Sequence, residues 1–442
     1  MRHSATARLA VMAVLAIGLL VPLTWVYSIV SERASRRNEA VSQIGDTWGG
    51  PQVVGGVVLA VPYTLTWTDT SGNTQRAVHH RFYLPKGLHV EGQIAAETRR
   101  RGIFRVPVYR ATVKMTGTFV QPDPPPVSNS SERIHWDQAT LQVGIRHPRG
   151  IMRRATLTWG RQSLAITGGT VDTGLFSTGL HADLPPLDPM QARSAFPFEV
   201  TLDVNGTREL HVLPNADETT VTLASGWPHP SFSGAPLPET RRVDRTGFAA
   251  QWRVQDFGRP YPAAWTSQGM NRDDLAARAQ ASAFGVTLIE PVDIYQQGER
   301  AVKYAFLFVV LTFLVFFLWE VLGAASLHPM QYAFVGFAMC VFYMLLVSIS
   351  EHTGFDASYA ISATVTTLLI AGYATSVLGG PRKGGSVLGA LIALYGFLYL
   401  LLRLEDYALL AGSIGLFVVL TLVMYLTRRM NWYELRLGAR ES

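Results

Sequence analysis

LAVMAVLAIGLLVPLTWVYSIV, residues 9–30, is the first of the apolar runs that decide the fold of this 442-residue chain. A helix needs about 20 apolar residues to cross a bilayer, so this run is long enough to span. Five more runs follow after a long mixed segment, at residues 303–322, 332–349, 359–378, 386–402 and 408–426. We therefore predict a multi-pass α-helical membrane protein with one span before, and five spans after, a large inserted domain.

The first run is predicted to be a membrane anchor, not a cleaved signal peptide. Its length exceeds the 7–15 apolar residues typical of a signal sequence. No A-x-A-like cleavage site follows it, since the next residues are Ser31, Glu32 and Arg33.

Composition excludes several classes of function. Only 16% of residues are charged, against about a quarter in soluble proteins. The net charge of +6 comes largely from residues that flank apolar runs, and no basic stretch is interleaved with aromatics, so no nucleic-acid partner is predicted. The single cysteine, Cys340, lies in an apolar run, which excludes a disulfide, a thiolate metal site and a cysteine nucleophile in the inserted domain.

Lysine and arginine are distributed asymmetrically between the two sides of the membrane. With the N-terminus in the cytoplasm, the short outer loops hold only Arg403. Four arginines flank the domain on its outer side, contrary to this asymmetry: Arg33, Arg36, Arg37 and Arg300. Long domains, however, translocate largely regardless of such charge. We predict both termini in the cytoplasm and the domain in the bacterial periplasm. The cytoplasmic segments would hold Arg2, Arg8, Arg382, Lys383, Arg428, Arg429, Arg436 and Arg440.

The predicted domains are an anchor (1–30), a mainly-β periplasmic domain (31–300) and a five-helix bundle with a cytoplasmic tail (301–442). The domain should be a sandwich or a pair of sheets, because alternating strands separated by turn residues dominate it.

Four local features refine the domain prediction. The first helix should continue to residue 44 and end at Gly45, and Asn205-Gly206 between alternating strands predicts a hairpin. One interior helix is predicted over 272–284. The Pro/Ser loop at 121–131 is predicted to divide two β subdomains.

No catalytic, metal or cofactor site is predicted in the β domain. Its histidines form neither H-x-x-x-H nor H-E-x-x-H, and adjacent His79 and His80 would point to opposite faces of a strand. A G-x-S-x-G elbow is also absent. The proline-rich WPHPSF (227–232) is either a structural crossover loop or a surface for a partner.

Glu320, His328, Glu351 and His352 stand out in the membrane part, because ionisable groups near a bilayer are costly and often functional. The predicted topology puts the first two near one face and the last two near the other, about 30 Å apart. They therefore cannot form one acid–base centre. Structural pairs, a functional pair at one face and a transport pathway all remain open. Small residues every fourth position in the helix at 359–378 predict that it lies at the bundle centre.

Several segments together resemble the CreD family of bacterial inner-membrane proteins, in the family's order: GPQVVGGVVLAVP (50–62), WPHPSF (227–232), GERAVKYAFLFVVLTFLVFFLWE (298–320), LHPMQYAFVG (327–336) and SEHTGF (350–355). The resemblance implies an inner-membrane protein linked to cell-envelope integrity, with expression under a two-component system and a role in stress response. It implies no reaction. The candidate functional residues that it selects are His328, Pro329, Tyr332, Glu351, His352, Thr353 and Gly354, and Glu320 joins them as an ionisable group near the bilayer.

The leading interpretation is a non-enzymatic membrane protein whose periplasmic β domain binds or scaffolds an envelope component, either an envelope protein or cell-wall material. This predicts an exposed apolar or aromatic groove on that domain. The alternative is a transporter or channel with a periplasmic adaptor domain, which predicts a polar cavity at the bilayer midplane. A weaker alternative is an unrecognised membrane hydrolase, which predicts titratable groups converging in one pocket.

Overall fold

The computed structural model describes residues 5–122, 132–188, 190, 193–290, 294–322, 327–404 and 407–428. The chain forms two compact units, a helical one (Met1–Asn38 with Val292–Ser442) and a mainly-β one (Glu39–Pro291). The units divide at 38/39 and 291/292, whereas the sequence-based boundaries are 30/31 and 300/301, because the helices continue past their apolar runs.

The helices include all six predicted spans. Each of the six apolar runs lies in a helix long and apolar enough to cross a membrane, which confirms the predicted arrangement of one span before the β domain and five after it. The helices are α1 (Ala5–Gly18), α2 (Leu20–Trp48), α3 (Arg272–Ser282), α4 (Ile294–Leu322), α5 (Pro329–Thr353), α6 (Phe355–Val377), α7 (Pro381–Arg403) and α8 (Ala408–Thr427).

Helix α2 ends three residues later than predicted, at Trp48 and not at Gly45. The carbonyl of Gly45 accepts hydrogen bonds from the N–H groups of Gly49 and Gly50, both at 2.8 Å. Gly49 and Gly50 have φ values of 138° and 59°, a region that side chains with a Cβ avoid. These two glycines, with Pro51 after them, end the helix.

The prediction that the helix at 359–378 lies at the bundle centre is wrong. Helix α4 is the most buried span and packs against α1, α5 and α7, whereas α6 packs between α5 and α7. The small residues of α6, including Ser358, Ser362 and Thr366, are buried as expected. Its opposite face is apolar and exposed, so the helix is peripheral: Ile361, Val365, Leu368 and Leu369.

The β unit contains eighteen strands among its described residues. They are β1 (Gln52–Thr68), β2 (Thr74–Tyr83), β3 (Gly87–Arg101), β4 (Phe104–Val120), β5 (Glu132–Ile134), β6 (Thr140–Ile145), β7 (Ile151–Trp159), β8 (Gln162–Leu164), β9 (Thr167–Gly168), β10 (Gly179–Asp183), β11 (Ala195–Thr207), β12 (Glu209–Val212), β13 (Glu218–Ser225), β14 (Pro230–Gly234), β15 (Thr240–Asp244), β16 (Gly247–Gln255), β17 (Ala264–Thr266) and β18 (Phe284–Leu288).

These strands form two sheets, which confirms a mainly-β domain. The ten-stranded sheet has the order β14-β18-β12-β1-β6-β10-β9, with β2 and β5 also paired to β1 and β17 paired to β2. The eight-stranded sheet has the order β15-β16-β13-β3-β4-β11-β7-β8. The strands of both sheets come from before and after residues 123–131, which lie outside the described residues, so that segment does not separate one sheet from the other.

The two sheets pack face to face over one core. Val57 and Leu141 of the ten-stranded sheet belong to the same buried cluster as Val90, Val113 and Leu202 of the eight-stranded sheet. The other face of the ten-stranded sheet is also buried, in part under α3. Residues 57–61 of β1 are therefore all buried, as in strands covered on both faces. Much of the outer face of the eight-stranded sheet, by contrast, carries polar, accessible side chains, whereas Val106 and Val108 on that face are buried against Ile44 of α2.

The predicted hairpin at Asn205-Gly206 is wrong. Strand β11 continues through these residues, and Gly206 lies directly opposite Tyr109 of β4. A Cβ on Gly206 would lie 2.3 Å from the Tyr109 hydroxyl, which donates to the carbonyl of Glu209 at 2.6 Å. The glycine thus makes room for a buried tyrosine. The chain leaves this sheet at Arg208, whose φ is 60°, and β12 pairs in parallel with β1.

The interior helix is confirmed at α3. The side chain of Asn271 caps it by accepting a hydrogen bond from the N–H of Asp274, and it ends two residues earlier than predicted because Phe284 begins β18.

Half-buried histidines should make the β domain less stable in mild acid. Partial burial lowers the pKa of His211, whose Nε2 lies 2.9 Å from the Ser233 hydroxyl, and also lowers the pKa of His80. The unfolded chain then binds protons that the folded chain does not. The resulting stability is complete above the usual pKa of 6.5 and is lost as the pH falls below it.

We therefore expect the unfolding temperature of the β domain to fall between about pH 7.5 and 5.5, and His211→Gln to reduce that fall. Seven of the ten tryptophans lie in residues 39–291, so intrinsic fluorescence follows this domain. His229→Gln, at an exposed position, is the control. An equal pH response in wild type and His211→Gln would contradict the assignment.

Candidate functional site

An open groove crosses the outer face of the eight-stranded sheet. Six residues on adjacent strands lie side by side across it, since each is the cross-strand partner of the next. We call them the groove row: Arg242, Ala249, Ala224, Gln93, Thr112 and Asp203. Neighbouring strands are about 4.8 Å apart, so the row is about 24 Å long. The groove has a volume of about 770 Å³.

The groove has a small-residue floor and polar ends. The small side chains of Ala224 and Ala249 leave the centre of the groove open, and Gln93 and Thr112 lie beside them. The Thr112 hydroxyl donates to Asp203 Oδ1 at 2.8 Å. Opposite charges, Asp203 and Arg242, stand at the two ends of the row. An elongated ligand could therefore lie across the sheet and form hydrogen bonds along its length.

Trp48 lines the groove and is fixed in place by the β domain. Its indole N–H donates to the carbonyl of Tyr109 at 3.2 Å. The guanidinium groups of Arg99 and Arg110 lie 3.6 and 5.5 Å from its ring centroid, within the range of cation–π interactions. The groove thus carries an ordered aromatic residue beside two cations.

Glu320, a candidate because it is an ionisable residue near the bilayer, is buried at the end of α4. Its side chain accepts a hydrogen bond from the Tyr332 hydroxyl at 2.9 Å and from the N–H of Leu327 at 3.4 Å. Tyr332 is also buried and contacts Phe313 edge-on. The carboxyl group therefore joins the end of α4 to the start of α5.

His328 and Pro329 begin α5. The His328 side chain accepts from the N–H of Met330 at 3.3 Å, and Gln331 Oε1 accepts from the N–H of His328 at 2.8 Å, which is a reciprocal cap. Pro329 occupies the first turn, where its missing N–H costs nothing. These two motif residues therefore set a helix start.

Glu351 connects three helices at the other end of α5. Its Oε1 accepts from the Tyr295 hydroxyl of α4 at 3.1 Å and lies 3.8 Å from Arg33 Nε of α2. The Glu351 side chain is 10% exposed, while neighbouring His352 is exposed.

Thr353 and Gly354 form the tight connection from α5 to α6. The Thr353 hydroxyl lies 2.9 Å from that of Ser358 and donates to the carbonyl of Ile349 at 3.2 Å. Gly354 has a φ of 84°, a backbone conformation that residues with a Cβ rarely adopt, so this position requires glycine.

The structure places the two groups of motif residues at opposite ends of α5, as predicted. His328 caps its start and Glu351 lies in its last turn, 23 residues later, or about 34 Å along a helix. The first group centres on Glu320 and Tyr332 and the second on Glu351. They form two structural connections and no single centre.

The WPHPSF segment (227–232), the other candidate from the sequence, packs into the β domain. In WPHPSF, the Trp227 indole donates to the carbonyl of Ile289 at 2.9 Å, and Phe232 packs on Phe248 and Trp252. This segment is therefore built into the domain. Among the described residues, no group of three or more His, Cys, Asp or Glu side chains is placed to hold a metal ion.

Sequence reasoning missed the groove row and the partners of Glu351. The row draws on strands from residue 93 to residue 249, so no spacing along the chain connects its members. Arg33 and Tyr295 are far from Glu351 in sequence. Alternation alone could have assigned the row to the outer face of the sheet.

Removal of the Glu351 carboxylate should destabilise the helical unit moderately. Glu351→Ala leaves the Tyr295 hydroxyl without this acceptor, which we expect to cost about 1–2 kcal/mol. Thermal unfolding in detergent would measure it, with exposed His352→Ala as the neighbouring control. Equal unfolding temperatures for both variants would contradict this role. Unchanged envelope-stress sensitivity of Glu351→Ala cells, at normal protein levels, would limit the residue to structure.

Six apolar helices with an inserted two-sheet β domain define a multi-pass membrane protein with a large extramembrane domain. The family model described as "Inner membrane protein CreD" matches residues 4–433. Inner membrane protein CreD of Escherichia coli (strain K12) is 32% identical over 428 residues, which cover 95% of this chain and 92% of that protein. The chain belongs to the CreD family of inner-membrane proteins.

Comparison with solved structures adds nothing to this assignment. The M1 zinc metallopeptidase from Deinococcus radiodurans aligns with 80% of this chain and 95% of its own, at 9% identity and a TM-score of 0.20. A similarity of this size carries no argument about fold or activity.

Proposed function

We propose that this inner-membrane protein contributes to envelope integrity and stress response by binding an elongated envelope component in the groove of its β domain. The observation that carries the proposal is the groove row, which crosses six strands with a small-residue floor and charged ends. An envelope protein segment or a cell-wall strand has the required length. The asymmetry of lysine and arginine supports a periplasmic position for this groove.

The proposed role is non-enzymatic. The polar groups of the groove row include one carboxylate, Asp203, which already accepts a hydrogen bond from Thr112. General acid–base catalysis requires a positioned proton donor or acceptor with a suitable pKa, and the row offers no pair of converging titratable groups. Binding and scaffolding match this chemistry better than hydrolysis.

Charge removal at both ends of the row tests the proposal. Cells lacking the protein would be complemented with wild type, with Asp203→Ala/Arg242→Ala, or with Asp137→Ala/Arg161→Ala, whose exposed residues lie outside the groove. We expect only the groove variant to lose resistance to envelope-active agents. Full resistance in that variant, at wild-type protein levels, would refute the proposed groove.

A second candidate function, transport, is favoured by hydroxyl groups buried in the bundle. The side-chain oxygens of Thr312, Tyr343, Ser362 and Tyr395 have no hydrogen-bond partner among the described residues. Phe342 contacts Tyr343 and Tyr395 edge-on, with ring centroids 4.8 and 4.7 Å apart. Polar groups inside a membrane often line the pathway of a transported substrate or ion.

Cys340, the single cysteine of the chain, separates the two candidates. It is buried in the bundle one helical turn before Tyr343. If the protein binds and does not transport, a membrane-impermeant maleimide should leave Cys340 unmodified in intact cells, while Ser71→Cys on the exposed β1–β2 turn reacts. Modification of Cys340 would favour transport.

A further inference from the structure

The hairpin of β3 and β4 ends in a concentration of positive charge. Its terminal residues 97–105 contain Glu97 and four arginines: Arg99, Arg100, Arg101 and Arg105. All of these side chains are exposed. We call these nine residues the hairpin tip, and we propose that it binds the anionic phospholipid headgroups of the membrane leaflet on the side of the β domain.

Among the described residues, three of the four arginines have no carboxylate partner. Arg99 is compensated, because its Nε lies 3.0 Å from Glu97 Oε1 and its guanidinium covers the Trp48 ring. Arg100, Arg101 and Arg105 form no ion pair within 4.0 Å in the part of the chain that the structure describes. The hairpin tip therefore presents uncompensated positive charge.

Arg100 and Arg105 are direct cross-strand partners. Like charges directly opposite each other on a sheet repel and destabilise the pairing. A phosphate group between them would replace repulsion with charge-assisted hydrogen bonds, for which guanidinium geometry is well suited. The pairing thus favours a phosphate-containing ligand.

The hairpin is held against the last residues of α2. The Trp48 indole donates to the carbonyl of Tyr109, and four residues earlier Ile44 packs with Val106 and Val108 in a small buried cluster. Residues 106–109 of β4, next to the hairpin tip, therefore pack on residues 44–48 of α2.

The turn itself is suited to an interface. Ile103 is 42% exposed and lies between Arg101 and Arg105 in the sequence. An exposed aliphatic residue flanked by cations can enter the boundary between headgroups and acyl chains. The proposal is independent of the groove and of its ligand.

The full-length chain in nanodiscs would test the proposal, in a Cys340→Ser background with a fluorophore on Ile103→Cys. Headgroup-labelled nitroxide lipid quenches the fluorophore only at short range. We expect quenching about threefold or more stronger in nanodiscs containing phosphatidylglycerol than in phosphatidylcholine alone. We expect Arg100→Gln/Arg101→Gln/Arg105→Gln to abolish that difference. A fluorophore on Ser71→Cys, at the exposed β1–β2 turn, is the control position.

Two results would overturn the proposal. Quenching at residue 103 no greater than at residue 71 would place the hairpin tip away from the membrane. Strong quenching that is the same in both lipids, or unchanged by the triple substitution, would show proximity without recognition of charge. The triple variant changes exposed residues only, and circular dichroism would confirm that it folds.

Discussion

Cells that carry Ala224→Trp are expected to be as sensitive to envelope-active agents as cells lacking the protein. Ala224 lies at the centre of the groove row, between Ala249 and Gln93. An indole there would fill the floor of the groove and divide the row in two. An elongated ligand could no longer lie across it, so binding should be lost completely.

The domain should nevertheless fold, because residue 224 faces away from the core that the two sheets share. Thr222→Trp provides a matched control on the same strand and the same face, since Thr222 pairs with Gln251 and Glu91 and does not line the groove. Protein level and circular dichroism would verify both variants. Wild-type resistance in Ala224→Trp cells would contradict the function proposed for the groove.

Glu320→Ala is expected to produce the largest loss of stability in the helical unit. Glu320 is 1% exposed and its carboxyl group accepts hydrogen bonds from Tyr332 and Leu327. The substitution would leave a cavity and a buried tyrosine hydroxyl without this acceptor. We expect a cost of about 2–4 kcal/mol, against about 0.6–1.7 kcal/mol for Tyr332→Phe.

Thermal unfolding of the purified protein in detergent would measure these losses. The double variant Glu320→Ala/Tyr332→Phe should lose less than the two single variants combined, because both substitutions remove the same hydrogen bond. Tyr425→Phe, at a position 58% exposed, should change stability by less than about 0.5 kcal/mol. Additive losses would show that the Glu320–Tyr332 contact contributes nothing.

The membrane spans could be predicted because one local property determines them. A run of about 20 apolar residues is sufficient for a spanning helix, and each predicted run lies in such a helix. The position of α6 could not be predicted. Its small residues allow close packing with two neighbours, but they do not determine how many neighbours a helix has.

In the β domain, tertiary contacts override a local sequence pattern. Asn205-Gly206 has the composition of a hairpin turn, yet Gly206 is required because Tyr109 lies opposite it. The groove row could not be predicted at all, since strand order brings its residues together. The helix start at His328 and Pro329 was accessible from sequence, because proline and a capping side chain are local signals.

Site-specific photocrosslinking in intact cells tests the central claim most directly. A benzoylphenylalanine at Thr246, an exposed residue that lines the groove, should capture an envelope protein or cell-wall fragment. The same probe at Arg161, exposed and outside the groove, should not. Adding Ala224→Trp to the Thr246 probe should remove the adduct. Capture that is equal from both positions, or that persists with Ala224→Trp, would contradict binding in the groove.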